Sequence, residues 1–164
     1  MLTECITWVL DNFGFAMFML AVVFIVLHKL INRRIPESEA IFRWMALFAL
    51  GFTGIYAFVV HAFYPTLGAM TIGWPSSPFQ TEVAMANLGF GVLGILSFKA
   101  SYPFRLATVI GSTCWLWGDA GLHTYEMIMQ HNFSIGNAGS WYTLDVILPL
   151  ILISALIKIK LSKS

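Results

Sequence analysis

Charge is what this 164-residue chain lacks most: Asp, Glu, Lys and Arg make up 10% of it, against about 25% in soluble domains. With 59% hydrophobic residues and a mean hydropathy of +0.80, that scarcity excludes an ordinary soluble domain and predicts an integral membrane protein. Cysteine is equally sparse. Cys5 and Cys114 stand far apart and form no CxxC or ligand-spaced pair, which argues against a disulfide or a zinc-finger-like site and reads both as buried small hydrophobes. The first dozen residues, MLTECITWVLDN, carry Glu4 and Asp11 but no Lys or Arg, so no cleaved signal peptide is expected. There is no internal repeat and no low-complexity segment, and no nucleic-acid partner is expected.

What the chain has instead is long apolar runs. A membrane helix needs about 20 apolar residues, and five segments qualify: about 13–31, 43–63, 79–98, 105–128 and 142–158. The first could extend back to residue 3, interrupted only by Asp11 and Asn12. The expected fold class is therefore all-α, a single transmembrane helical bundle. All nine basic residues fall on one side of it: Lys29, Arg33, Arg34 and Arg43 around the first loop, Lys99 and Arg105 around the third, and Lys158, Lys160 and Lys163 at the C-terminus. The positive-inside rule then predicts an outer N-terminus and a cytoplasmic C-terminus in the cytoplasmic (inner) membrane. The partners this implies are the lipid bilayer itself and a homo-oligomer or a membrane-protein partner.

The remaining ionisable residues share a depth. His61 lies 18 residues beyond Arg43, and Asp119 and His123 lie 14 and 18 beyond Arg105, which places them about 27, 21 and 27 Å from the basic edge. Glu82 and Asp145 stand within about two turns of the outer start of their spans. In GDAGLHTYE, Asp119, His123 and Glu126 fall at i, i+4 and i+7, one helical face that Ser112 and Thr108 continue inward. On the third span Ala84, Asn87, Gly91 and Gly94 make a small-residue face suited to close helix packing. Pro149, four residues after Asp145, is expected to free a backbone carbonyl near the site. Upstream, Ser77, Pro78 and Gln80 in GWPSSPFQTE match a capping box with proline at the first helical position, which starts the third span at Ser77. Trp74, Pro75 and Phe79 would form a lid over that end.

Carboxylates in a bilayer are costly, and no Lys or Arg is available on that side to pair with them. Compensation must come from a bound cation, from protons or from the histidines. His61, Glu82, Asp119, His123 and Asp145 form a plausible ligand set for zinc, iron, manganese or copper, with Asn87, Trp74, Ser112 and Glu126 supporting them from behind. His61 and His123 at matching depth also fit a bis-imidazole haem, which is disfavoured because haem propionates want cations. The leading functional expectation is a divalent-metal site, with metal-assisted hydrolysis or oxidation of a lipidic or periplasmic small molecule as its natural chemistry. A second gives the same carboxylates protons or a cation to carry, in a transporter or an accessory subunit; a third is a non-catalytic structural protein.

The run GWPSSPFQTEVAMANLGFGVLG, with GDAGLH and WYTLDVILP, resembles a family of small bacterial and archaeal multi-span membrane proteins of unknown function. The resemblance covers residues from about 44 to 155. It implies that Glu82, Asn87, Asp119, His123 and Asp145 act as one unit, and it implies no activity.

Overall fold

Asn12 divides the first apolar stretch into two helices, α1 (Leu2–Asp11) and α2 (Phe13–Ile31). Its backbone leaves the helical region, at φ −116° and ψ 33°, and its side-chain amide donates to the Trp8 carbonyl at 3.1 Å. In this computed structural model, which describes the backbone of residues 2–162 and the side chains of residue 4 and residues 8–162, the chain continues as α3 (Glu37–Phe63), α4 (Pro65–Ile72), α5 (Phe79–Lys99), α6 (Tyr102–Met129), the single turn α7 (Ile135–Ala138) and α8 (Ser140–Leu161). The described residues contain no strand. The Cys5 side chain and Lys163 lie outside them.

The helices α2, α3 and α5, of 19, 27 and 21 residues, are long and apolar enough to cross a membrane. At 1.5 Å per residue, the 28 residues of α6 and the 22 of α8 extend about 42 and 33 Å. The expected second span begins earlier than the apolar run does. Pro36 is the N-cap and Glu37 and Glu39 occupy the first turn, where carboxylates complement the helix dipole. The middle of α3, Met45–Phe52, is wound as a π-helix, a rare form that gathers at functional sites.

Glycines set the distance between α3 and α5. A Cβ on Gly54 would stand 2.8 Å from the Asn87 carbonyl oxygen and from the Gly91 Cα, and one on Gly94 would stand 2.7 Å from the Gly51 nitrogen. The two backbones are therefore in direct contact, and Ala84, Gly91 and Gly94 are buried along the face expected from their spacing. The apolar core lies mainly at the basic half of the bundle, where Phe42, Met45 and Leu50 of α3 pack with Leu152, Leu156 and Ile159 of α8. Helix α8 runs through Pro149 without a break, so the Asp145 carbonyl lacks its usual helical donor.

Arg105 closes the basic end. Only 5% exposed, it donates through Nη1 to both Glu39 carboxylate oxygens at 2.9 Å, through Nε to the Ser97 carbonyl at 3.0 Å and through Nη2 to the Phe98 carbonyl at 3.0 Å. One side chain thus ties α3 to α6 and satisfies carbonyls at the C-terminus of α5. Arg43 adds a 2.6 Å bond to Glu39. Cys114 corrects the sequence reading: it is exposed rather than buried.

Candidate functional site

At the opposite end of the bundle, α3, α5, α6 and α8 leave a cavity of about 400 Å³. Its wall is mostly apolar and aromatic, with Trp74, Phe90, Trp115 and Trp141 among the lining side chains. Into it come His61 from α3, Asp119 and His123 from α6 and Asp145 from α8. No Lys or Arg lines it among the described residues. Four of the five ligand candidates chosen from the sequence are therefore brought to one space.

His123 is the most tightly specified of them. Its Nδ1 lies 2.7 Å from Asn137 Oδ1, while Asn137 Nδ2 donates to the Asn132 carbonyl at 2.8 Å and toward the His123 carbonyl at 3.4 Å. Because the amide nitrogen faces two carbonyls, the amide oxygen must face the ring, so Nδ1 carries the proton and donates. The Nε2 lone pair is left free, and Nε2 lies 4.0 Å from Asp145 Oδ2. The side chains of His123 and Asp145 are 11% and 14% exposed, so bulk water supplies little of their solvation. The ring of Trp74 lies beside His123, with centroids 6.2 Å apart. Asn132 extends the network by donating to the Ile72 carbonyl at 2.9 Å, which fastens the loop before α7 to the end of α4.

His61 is held in a parallel way on the facing wall, with Nδ1 2.6 Å from Gln80 Oε1. Gly68 of α4 lies against that ring: a Cβ there would approach His61 Nδ1 to 2.9 Å. Asp119 and Asp145 line the same cavity, and Asp119 has no hydrogen-bond partner among the described residues.

The other assigned residues separate clearly. Glu82 is exposed on α5 and does not line the cavity; Gln80, two residues earlier, takes the inward place. The capping box does not form either, because helix α5 starts at Phe79 with Pro78 as N-cap and no side-chain cap bond, and the Gln80 side chain is committed to His61. Asn87 lines the cavity but donates to the Val83 carbonyl of its own helix at 3.0 Å. Ser112 is buried, bonds the Val109 carbonyl at 3.3 Å and stays outside the cavity lining. Glu126 also stands outside it, its carboxylate accepting a long 3.5 Å bond from Asn132 Nδ2.

The sequence reading takes Gln80 only as a helix-capping residue and does not single out Asn137, because a search led by unpaired charge gives an amide little weight. The available signal was a polar side chain beside apolar runs: Gln80 is 4% exposed and Asn137 fully buried. Asp11 is a further lining carboxylate. The end of α1 meets the cavity through Tyr56 Oη, which donates to the Leu10 carbonyl at 2.8 Å, and Trp141 Nε1, which donates to the Asp11 carbonyl at 3.0 Å.

Among the described residues no three His, Cys, Asp or Glu side chains stand together at metal-binding spacing. What the arrangement offers is two imidazoles and three carboxylates, those of Asp11, Asp119 and Asp145, around an apolar space. The family of unknown function DUF6790 matches residues 11–164. No curated protein and no solved structure matches the chain.

Proposed function

The chain belongs to the DUF6790 family, whose description assigns no activity, and we propose that it is a five-span protein of the cytoplasmic membrane whose outward-facing cavity binds a divalent transition metal. In this reading α2, α3, α5, α6 and α8 all cross, with the basic Arg105 end in the cytoplasm and α1 outside. His123 Nε2 and Asp145 supply the first two donors, and Asp119 and His61 close on the ion from the neighbouring walls. The observation that carries the reading is the His123 ring itself. A buried amide oxygen holds the proton on Nδ1 and leaves a bare Nε2 lone pair facing a carboxylate, the way ligating histidines are commonly oriented. The cavity is far larger than an ion, and about 400 Å³ of mainly apolar space falls within the range of small-molecule sites. The metal therefore shares it with a small, apolar-bodied molecule drawn from the outer leaflet.

Elemental analysis of the purified protein tests this. Near-stoichiometric zinc, iron, manganese or copper is expected in the wild type and a large loss in both His123→Ala and Asp145→Asn. A metal-free wild type, or metal content unchanged in both variants, overturns it.

The 4.0 Å gap between His123 Nε2 and Asp145 Oδ2 favours a second reading, in which the pair shares protons and the protein acts in proton- or cation-coupled transport. Proton flux into proteoliposomes that persists at the wild-type rate in Asp145→Asn contradicts it.

A further inference from the structure

The basic end of the bundle has a cavity of its own. Between the start of α3, the α5–α6 turn and the last turn of α8 lies a space of about 340 Å³ lined by Arg43, Lys99, Ser101, Tyr102 and Arg105. Glu39 is the one carboxylate among its lining residues, and it is already held by Arg105 and Arg43. Three cations against one anion leave the walls with an excess of positive charge. Lys99 is exposed and makes no ion pair among the described residues. In the five-span orientation proposed above, the cavity sits at the cytoplasmic ends of membrane-length helices, at the height of the lipid phosphates, and basic pockets between membrane helices on that side recognise anionic headgroups.

We infer that this pocket binds a phosphate group, presented by an anionic phospholipid headgroup or by free phosphate, with Lys99 and Arg43 as its charged contacts and Arg105 as the fixed positive wall. Arg105 keeps its four bonds to Glu39, Ser97 and Phe98 and contributes field rather than a new contact. Lys99, which has no bond to give up, makes the direct one. The proposal concerns the end of the bundle remote from the His123 cavity and stands independently of what that cavity binds.

The test uses the full chain in nanodiscs of phosphatidylcholine with and without phosphatidylglycerol, read by native mass spectrometry for retained lipid, together with the thermal shift caused by inorganic phosphate against chloride at equal ionic strength. Phosphatidylglycerol is expected to be retained in preference to phosphatidylcholine, with affinity reduced roughly fivefold in Lys99→Gln and further in Lys99→Glu. Both variants alter an exposed side chain outside the helix packing, so folding is preserved. A phosphate shift without lipid preference, lost in Lys99→Gln, supports the site and assigns it to free phosphate. Absence of both lipid preference and phosphate shift overturns the inference, as does a response unchanged in both lysine variants.

Discussion

Among single side chains, Asn137 has the largest consequence for the site. It makes no contact with the proposed ion, yet it fixes which His123 nitrogen is available. Replacing Asn137 with Leu leaves the imidazole Nδ1–H without its acceptor and frees the ring to rotate. Metal affinity is expected to fall about 10- to 100-fold, measured by competition with a chromophoric chelator. Glu82→Gln is expected to leave metal content at the wild-type level, since Glu82 is exposed and outside the cavity lining. These two residues also show what the sequence conveys. His61, Asp119, His123 and Asp145 were legible because an ionisable group in an apolar run must be compensated, and depth counted along each helix, from the basic edge or, for Asp145, from the opposite end of its span, puts them in one layer. Glu82 met the same criteria. Depth, however, says nothing of helical rotation, and α5 is turned so that Gln80 and Asn87, not Glu82, line or support the cavity wall.

Helix packing brings the site together through close backbone contact and one buried guanidinium. Gly91→Val places a branched side chain where a Cβ alone would stand 2.8 Å from the Ile55 nitrogen. It is expected to cost about 1–3 kcal/mol or more by forcing α3 and α5 apart, seen as a lowered melting temperature in detergent. Arg105→Ala leaves Glu39 and the Ser97 and Phe98 carbonyls without their common donor and is expected to cost about 3 kcal/mol or more. Pairing it with Glu39→Gln should recover part of that loss. The small-residue face of α5 was readable from spacing alone, because close packing requires small residues at helical intervals. The π-helical stretch of α3 was not. Met45–Phe52 is uniformly apolar, and hydrophobic pattern does not distinguish π from α winding when every side chain can be buried. Arg105 was read only as a topological marker, because the Glu39 partner lies 66 residues away.

For the molecule as a whole, the all-helical architecture follows from composition: backbone polar groups in hydrocarbon must be satisfied within the segment, and a chain this apolar meets that demand with helices. The proposed orientation follows from the one-sided basic residues. In a background lacking Cys5 and Cys114, Ser76→Cys is expected to react with a membrane-impermeant maleimide from outside intact cells, and Ser162→Cys only after permeabilisation. The reverse pattern contradicts the assignment. A bundle whose apolar core lies toward the basic end and whose cavity lies at the other is stabilised mainly away from its site. That arrangement allows the half remote from Arg105 to carry carboxylates, histidines and open space without the fold depending on them.

The most direct measurement is X-ray absorption at the metal edge of the protein loaded with zinc. Nitrogen and oxygen ligands with imidazole scattering are expected in the wild type, with the imidazole contribution reduced in His123→Ala. A coordination shell without imidazole, or one that His123→Ala leaves unchanged, would contradict the proposed site.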